Sequence, residues 1–446
     1  MNCMQKRVDG HEAHSTVQIG KHLVDNTSHR LKSGIRMDDT AMKTCLAWVP
    51  RGRPAQRPTS WVRCSEGQEV LKSMAESRES ESGVPVDVPG MQFMHVTDET
   101  IAGQDGMSDD DEDEVAAQEI RSTDSALVVG SANPEISELE VYVYDSSSQG
   151  FYVHHDYILG AFPLCTEWIS SWNGSDRNLA VVGSFEPIVE IWDLDVTENL
   201  VPAVSLGLDP SYDHYAKSTA RPTSTADAHE DAVLCLSAHP SAHVLATGSA
   251  DHTIKLWSLG GGPSGSLVNT LRLHQEKVQS LLWHPRETKL LASAGYDRCV
   301  VISDADSGTV GCKTSLSTDI ESILWSKSGD HLYVCSEDGS VRLFDPRNMS
   351  TPVWELALSK KSITSMCLPY EGLLVTSCYD GTARVVDTRN QPTVVHEKEL
   401  HVGPLHCVRS NPDVPYYLAF GGESAVVWDL EEAEHVHKIF GWQSLE

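Results

Sequence analysis

The sequence predicts an all-β fold, a seven-bladed β-propeller, with a disordered acidic region near its N-terminus. Groups of three short apolar strands recur along residues 121–440. The third strands end near positions 144, 192, 257, 303, 344, 386 and 428, and five of the six steps between them are 41–48 residues long. A period in the low forties with four strands per unit is typical of propeller blades. Seven such strand ends therefore predict seven blades.

The clearest unit runs from Ala228 to Trp257. Its turn residue Asp251 precedes Trp257 by six positions, and the same spacing returns in the other units. The pairs are Glu186 and Trp192, Asp297 and Ser303, Asp338 and Phe344, Asp380 and Val386, and Gly422 and Trp428. Three short strands cannot bury both faces of their sheet alone, so the unit has to repeat around a ring.

These units resemble the WD-repeat family, because Trp192-Asp193 and Trp428-Asp429 match its signature. In that family a His, a Ser or Thr, the turn Asp and the Trp form one hydrogen-bonded set. The resemblance implies two such sets: His229, Thr247 or Ser249, Asp251 and Trp257 in the clearest unit, and His274, Ser293 and Asp297 in the next. Ser303 replaces the second Trp, and no His is evident beside Asp338 or Asp380. A buried Asp needs such donors for its lone pairs.

The chain divides into four predicted parts. They are a disordered extension or mis-called start (1–41), a basic segment (42–65), a disordered acidic segment (66–120) and the propeller (121–440) with an insert loop at 207–227. The acidic segment has 16 Asp or Glu against two basic residues, a net charge of −14. Such a composition cannot bury enough apolar surface to fold. It is either a solubilising tail or a docking tail for basic partners.

Two details of this organisation stay open. Ser108 precedes three Asp and is a candidate phosphorylation site for an acidophilic kinase. The ring closes either through His435–Phe440 as the last outer strand or through an N-terminal strand such as Met91–Val96.

The sequence offers no motif that carries catalysis, and we predict neither a cofactor nor a metal ion. Eleven Cys occur without a C-x-x-C pair, and those in strand patterns are expected to act as small apolar residues. His154 and His155 are adjacent in a strand, so they are expected on opposite faces and unable to share an ion. His435 and His437 share a face if they lie in a strand, but no third ligand is near them.

Charge decides which partners are expected. The formal net charge is −30, of which −22 falls on residues 121–446. Direct nucleic-acid binding by the propeller is therefore disfavoured, because such binding depends on cations that neutralise phosphates. Basic proteins, such as ribosomal proteins or histones, are expected partners. Arg51, Arg53 and Arg57 form a basic cluster, which is a nuclear-localisation signal, an RNA-touching arm or merely a flexible segment. No signal peptide or membrane span is evident, and an intracellular protein is expected.

Several stretches together resemble the periodic tryptophan protein 1 family. They are CLAWVPRG (45–52), LEVYVYD (139–145), FYVHHD (151–156), IVEIWDLD (188–195) and the AFGGESAVVWDL stretch (419–430). FYVHHD is the most specific of these, because it is not a general repeat motif. The resemblance implies a nuclear and nucleolar protein of ribosome biogenesis that supports large-subunit precursor maturation and, in animals, rRNA gene transcription. It also implies association with histones.

The sequence thus predicts a non-catalytic nucleolar scaffold, a monomer that joins assembly factors and pre-ribosomal particles through protein contacts. The alternative is an acidic chaperone that escorts a basic ribosomal protein or a histone. A third possibility is an enzyme or a substrate receptor for ubiquitin ligation.

Overall fold

A computed structural model describes residues 41–60, 119–208, 225–241, 243–260 and 265–440. Seven antiparallel sheets are found among these residues, and the inner strand of each sheet contacts the inner strands of its two neighbours. The predicted all-β, seven-bladed propeller is confirmed. The predicted strand ends fall within one residue of the observed ends of the seven third strands.

Six blades have four strands, and blade 7 has three among the described residues. From the inner to the outer strand, the blades are as follows. Blade 1 comprises Met42–Val49, Ser125–Ala132, Ser137–Asp145 and Gly150–Leu159; blade 2 comprises Pro163–Trp172, Ser175–Ser184, Val189–Asp193 and Val204–Leu206; blade 3 comprises Val233–Ala238, Val244–Ser249, Ile254–Ser258 and Ser266–Leu271; blade 4 comprises Val278–Trp283, Leu290–Gly295, Cys299–Asp304 and Val310–Ser315; blade 5 comprises Ile320–Trp325, Leu332–Ser336, Ser340–Phe344 and Trp354–Ala357; blade 6 comprises Ile363–Tyr370, Leu373–Cys378, Thr382–Asp387 and Thr393–Glu399; blade 7 comprises Cys407–Ser410, Tyr417–Gly421 and Ala425–Asp429.

The remaining elements are short. Thr59–Ser60 pairs in parallel with Val196–Thr197 at the edge of blade 2. A 3₁₀ turn at Leu430–Glu432 and a helix at Glu434–Phe440 follow blade 7.

The core lies between the faces of adjacent blades. Second strands such as Ser125–Ala132 are buried at every position, which explains their continuous apolar or small residues. Outer strands such as Val310–Ser315 alternate between exposed and half-buried residues, the pattern of a strand with one solvated face. Between blades 1 and 7, Leu127 and Val129 pack in one cluster with Leu418 and Phe420.

The ring closes through its N-terminal strand. Met42–Val49 is the inner strand of blade 1, and the Lys43 N–H donates to the Gly422 carbonyl of blade 7 at 2.7 Å. The indole of Trp48 donates to the Arg409 carbonyl, also on blade 7, at 3.2 Å. The ring therefore begins at Met42, well before the predicted boundary at residue 121.

Of the two closures considered from the sequence, the structure tests only the first. The prediction of an outer strand at His435–Phe440 is wrong, because these residues lie in the helix Glu434–Phe440. A preceding 3₁₀ turn, capped by the Asp429 carboxylate, turns the chain away from the sheet, and Val436 anchors the helix in the core. The other candidate, Met91–Val96, lies outside the described residues.

The acidic segment is an insertion within blade 1, between its first and second strands. At one end Ser60 pairs with Thr197, and at the other the Ile120 N–H donates to the Gln56 carbonyl at 3.0 Å. Both ends are thus held at the same side of the ring, over blades 1 and 2. Residues 61–118, with Ser108 among them, lie outside the described residues.

The predicted insert loop at 207–227 connects blades 2 and 3. The Thr225 N–H donates to the Gly207 carbonyl at 2.8 Å, so the two ends of the loop meet. Residues 209–224 lie outside the described part of the chain.

Adjacent blades are joined near the axis by hydrogen bonds from small polar residues. On the inner strands, Thr44 donates to Pro163 (2.8 Å) and Thr364 donates to Leu405 (2.9 Å). The thiols of Cys165 and Cys235 reach the carbonyls of Val233 and Val278 of the following blades, each at 3.5 Å. These residue types recur because each junction needs a small side chain with a donor.

Four inner-strand Cys also pair with Gly on the second strand. The pairs are Cys45 with Gly130, Cys165 with Gly183, Cys235 with Gly248 and Cys407 with Gly421. A Cβ at any of these Gly would lie 2.4–2.7 Å from the sulfur, so the thiol fills the space that a larger partner would need. Burial raises the pKa of Cys45 to about 11, which leaves a protonated thiol packed in the core.

Candidate functional site

In blade 3 the structure brings the predicted polar set together. The Nδ1 of His229 lies 2.9 Å from the Asp251 carboxylate, and its Nε2 lies 2.7 Å from the Thr247 hydroxyl. The indole of Trp257 donates to the same hydroxyl at 3.1 Å. Of the two second-strand candidates, Thr247 joins this chain, whereas Ser249 bonds the Asp231 carbonyl and the Asp251 N–H. The set links the second and third strands of the blade with the segment that precedes its inner strand.

The charges of this network are fixed by their surroundings. Burial raises the pKa of Asp251, but hydrogen bonds from His229, Thr253 and the Glu230 N–H outweigh it and hold the pKa well below its usual range. Burial lowers the pKa of His229, despite the carboxylate beside it. Asp251 is therefore an anion whose two carboxylate oxygens both accept hydrogen bonds, and its role is to hold the turn in place.

Blade 4 repeats this arrangement without its indole. The Nδ1 of His274 lies 3.0 Å from Asp297, and its Nε2 lies 2.8 Å from the Ser293 hydroxyl. Ser303 takes the place of the Trp, and it is fully buried. Its hydroxyl has no hydrogen-bond partner among the described residues.

Blades 5 and 6 satisfy the turn Asp with an arginine. Asp338 pairs with Arg342 and Asp380 pairs with Arg384, each at 2.7 Å. Each guanidinium also binds a Glu of the outer strand thirteen residues further on, Arg342 with Glu355 at 2.7 Å and Arg384 with Glu397 at 3.0 Å. The sequence analysis missed these arginines, although an Asp followed four residues later by Arg occurs in both blades.

The two Trp of the signature dipeptides have other partners. Trp192 is buried, donates to Glu190 at 3.2 Å and packs against Tyr157 of blade 1. Trp428 is buried beside His396, with ring centroids 5.4 Å apart, and beneath the ammonium of Lys398.

A second tryptophan series was missed. A Trp follows the small residue of the inner strand by three positions, at Cys45/Trp48, Cys165/Trp168, Ser280/Trp283 and Ser322/Trp325. Three of these indoles donate to a carbonyl of the preceding blade, at distances of 3.1–3.4 Å: Trp48 to Arg409, Trp283 to Ser237 and Trp325 to Leu282. The spacing of Cys or Ser and Trp is a signal that the sequence alone contains.

The expectation that His154 and His155 point to opposite faces is wrong. A register shift between Val141 and Tyr142 marks a bulge at this point of the outer strand, and it brings the two Nδ1 atoms within 2.7 Å. The Nε2 of His155 lies 3.1 Å from the hydroxyl of Tyr157, which in turn lies 3.0 Å from two carbonyls of blade 2. Burial, followed by the neighbouring His154, lowers the pKa of His155 to about 3. Tyr157, the residue directly after the motif FYVHHD, thus fastens blade 1 to blade 2.

The basic cluster is bound to the ring. Arg53 binds both oxygens of Asp176 at 2.6 and 2.8 Å and lies over the ring of Trp168. Arg51 donates to the Ser125 hydroxyl at 3.1 Å, and Arg57 lies 3.9 Å from Glu119. These contacts hold the segment 50–60 across blades 1 and 2.

A carboxylate lies near the axis of the ring. Glu167 lies on the inner strand of blade 2, and the positive charge of Arg409, on the inner strand of blade 7, acts on it. Burial raises the pKa of Glu167 to about 7, and Arg409 offsets only part of that rise. This residue was not singled out from the sequence.

The described residues contain no group of three or more His, Cys, Asp or Glu arranged to hold a metal ion. Their helices are all too short or too polar to span a bilayer. His435 and His437 lie in the helix Glu434–Phe440, where His435 bonds the Val395 carbonyl at 3.0 Å.

Exposed apolar side chains point to a surface for partners. Two of them, Val153 (42% exposed) and Ile158 (58% exposed), lie on the face of the outer strand of blade 1 that is turned toward blade 7. The neighbouring blade 7 lacks a fourth strand among the described residues. At the junction of blades 7 and 1, the open edge of a sheet therefore lies next to exposed apolar side chains among the described residues.

Comparison with known families agrees with the repeat. The WD40 family, described as WD domain, G-beta repeat, matches residues 220–258, 265–304, 311–345 and 350–387. These matches fall on blades 3 to 6, the blades in which His or Arg satisfies the turn Asp.

Three curated relatives show how far the similarity extends. A protein of Drosophila melanogaster, "Periodic tryptophan protein 1 homolog", is 30% identical over 75% of this chain and 73% of its own length. "Periodic tryptophan protein 1" of Saccharomyces cerevisiae is 26% identical over 90% of both chains. "Ribosome biogenesis protein WDR12 homolog" of Nematostella vectensis is 26% identical over 54% of this chain and 71% of its own length.

Proposed function

Since the chain belongs to the periodic tryptophan protein 1 family of WD-repeat proteins, we propose that it is a non-catalytic scaffold of ribosome biogenesis. In this role it joins assembly factors and large-subunit precursors in the nucleolus through protein contacts, and it supports rRNA processing or rRNA gene transcription. The observation that carries the proposal is the similarity to the Drosophila relative over three quarters of the chain. The printed name of the Nematostella relative adds support for the process.

The chemistry of the described residues agrees with a scaffold. The recurring carboxylates Asp251, Asp297, Asp338 and Asp380 are each bound to a His or Arg of their own blade. Acids that recur once per blade and are neutralised locally serve the architecture of the repeat. The rims and outer strands remain as the surfaces for partners.

A second candidate is an acidic chaperone that escorts a basic ribosomal protein or a histone. The net charge of −30 and the insertion 66–120, with its net −14, favour this alternative. Such charge attracts a basic client over a long range, and salt weakens the attraction.

Affinity purification of the tagged chain at low and high salt separates the two. A scaffold recovers many assembly factors and precursor rRNA at both salt concentrations. A dedicated escort recovers one basic client and loses most of it at high salt. Recovery of ubiquitin-ligase subunits in place of either set would contradict both functions.

A further inference from the structure

Blade 7 differs from the other blades at its outer edge. In blades 1 to 6 a fourth strand pairs with the third, as Thr393–Glu399 does with Thr382–Asp387 in blade 6. In blade 7 no described strand pairs with the outer side of Ala425–Asp429. The chain instead leaves through the 3₁₀ turn and the helix Glu434–Phe440.

The hydrogen-bond register shows which backbone groups face outward. The Gly422 N–H bonds the Ser424 carbonyl and the Leu430 N–H bonds the Tyr416 carbonyl, which fixes the hydrogen-bonded pairs of this ladder. By the alternation of an antiparallel ladder, Val426 and Trp428 bond inward. The N–H and carbonyl groups of Ala425 and Val427 therefore point away from the sheet.

The C-terminal helix is fastened to blade 6. His435 bonds the Val395 carbonyl at 3.0 Å, and Arg389 bonds the Ile439 carbonyl at 3.2 Å. Trp428 faces the same blade, since its ring lies 5.4 Å from His396. Val427, which alternates with Trp428, consequently faces blade 1.

Blade 1 provides an apolar wall opposite this strand. Tyr142, Tyr144 and Phe151 pack on the core cluster that blades 1 and 7 share. Val153 pairs with Tyr142 across the strands and so lies on the same face, yet 42% of it is exposed. A fourth strand on blade 7 would cover Val153 and the partly buried Phe151.

The strip between the apolar wall of blade 1 and the strand Ala425–Asp429 has acidic residues at both ends. Glu138 and Glu140 share the face of Tyr142, and Asp156 stands opposite Glu140. The ammonium of Lys43 pairs with Glu140, which leaves Glu138 and Asp156 as the carboxylates at this end. Burial, followed by Asp156 and Glu140, raises the pKa of Glu138, and Lys43 offsets only part of that rise.

Asp429, Glu431 and Glu432 lie at the other end. Burial raises the pKa of Asp429, and its two acidic neighbours add to the rise. One buried oxygen of Glu431 has no hydrogen-bond partner among the described residues. Lys398 of blade 6 lies 3.6 Å from Glu432, so a further cation bound here would compensate Asp429 and Glu431.

We propose that the free edge of blade 7 accepts an extended, Lys- or Arg-bearing segment of a partner protein as its fourth strand. The outward backbone groups of Ala425 and Val427 supply main-chain hydrogen bonds, Val153 and Phe151 contact alternate apolar side chains, and the flanking carboxylates pair with the cations. The chain's own insertion 66–120, with its net −14, has the wrong charge for this strip. The inference rests on the proposed function, because it names the surface through which the ring holds basic proteins.

Binding of synthetic peptides to the purified full chain tests the proposal, with fluorescence anisotropy as the readout. The probes are a peptide of alternating Lys and Val and a matched peptide of alternating Glu and Val. The Lys peptide should bind at least about tenfold more tightly, because opposite charges complement across the contact. Protection of the Val427 amide from hydrogen exchange should accompany that binding. Equal affinity for both peptides, or no protection, contradicts the proposal.

Two variants locate the contact. Val427→Pro removes an outward N–H at an edge position where proline is tolerated, and Val153→Lys places a positive charge on the wall without touching the backbone. Each should weaken binding of the Lys peptide by about tenfold or more, since the added strand depends on main-chain bonds and side-chain pockets. Val310→Lys is the matched control, because Val310 is 45% exposed on an outer strand of a complete blade. Binding that all three variants leave unchanged contradicts the proposal.

Other occupants give different results. A dimer in light scattering that Val427→Pro converts to a monomer assigns the edge to a second copy. Much tighter peptide binding by a chain that begins at Met42 assigns it to residues 1–41. Either result overturns the proposal. The peptide assay uses purified protein alone and tests the edge of blade 7. The purification of assembly factors tests the proposed function, so either experiment can give a negative result without the other.

Discussion

At the scale of single residues, the turn Asp of four successive blades shows how one position can be satisfied in two ways. Blades 3 and 4 use a His that enters from before the inner strand, while blades 5 and 6 use an Arg from the third strand. Both give the carboxylate charged or strongly polarised donors, which a half-buried anion requires. The WD-repeat resemblance indicated the first solution, whereas the second appears only when the Arg, the Asp and the outer-strand Glu are seen together.

Asp251→Ala tests the role of this carboxylate. The substitution leaves His229, Thr253 and the Glu230 N–H without their acceptor, so the free energy of unfolding should fall by about 1–3 kcal/mol. Urea unfolding measures the change. Asp306→Ala is the control, because Asp306 forms an exposed pair with Lys289 and its loss should change little. If the Asp251→Ala variant lost no more stability than the Asp306→Ala variant, the blade 3 network would add nothing to the free energy of folding.

Glu167 predicts a pH dependence. Its pKa is about 7 in the folded ring against an ordinary value of 4.5, so the folded state holds the proton more tightly than the unfolded chain. Its contribution to stability is therefore full below pH 4.5 and is lost as the pH rises towards 7.

Glu167→Gln should remove this loss. The variant should match the wild type near pH 4.5 and exceed its unfolding free energy at pH 8 by about 2–4 kcal/mol, at 1.36 kcal/mol per pKa unit. Denaturant unfolding at both pH values is the measurement. Glu287→Gln, at an exposed position, should show no such difference. A constant effect of Glu167→Gln at both pH values would contradict the assigned burial.

At the scale of strands, the sequence predicted the repeat better than its exceptions. Alternating apolar residues and turn acids placed the third strands of all seven blades, because these signals are local. The bulge at His154 was not predicted, and one extra residue there reverses the side to which the ring of His155 points. The helix Glu434–Phe440 was read as a strand, since His435 and His437 fit a period of two as readily as Val436 and Phe440 fit a helical turn.

Truncation tests the closing strand. A chain that begins at Met42 keeps the strand Met42–Val49 and should melt at the temperature of the full chain. A chain that begins at Gly52 loses this strand. It exposes Leu127 and Val129, which are fully buried in the ring, and leaves the inner edge of Ser125–Ala132 unpaired. It should therefore aggregate or lack a cooperative melting transition. Thermal melting of the two chains is the measurement, and indistinguishable transitions would mean that the ring closes by another route.

At the scale of the whole molecule, charge and topology act together. The acidic insertion 66–120 leaves and re-enters the ring over blades 1 and 2, so its net −14 stays close to a body that is itself negative. A loop held at both ends concentrates charge near the rim more effectively than a free tail of the same length. This placement favours basic partners at the adjoining blades.

Deletion of residues 97–118 separates folding from binding. The described strands of the ring contain none of these residues, so the deletion should leave the melting temperature unchanged. It removes most of the charge of the loop, so the affinity for a basic protein should fall, and the difference should shrink at high salt. Titration of a core histone or a basic ribosomal protein at two salt concentrations is the measurement. Unchanged affinity at low salt would exclude the loop from docking.

The sequence by itself determined the class of fold, the number of blades and the negative charge. Each of these follows from spacing within about forty residues or from composition. Spacing and composition do not depend on which distant strands pair with each other. Tertiary structure alone decided that Met42–Val49 closes the ring and that no described strand pairs with the outer side of Ala425–Asp429. These features depend on pairing between strands far apart in the chain, such as Lys43 with Gly422, and the local alternation of residues carries no record of the partner.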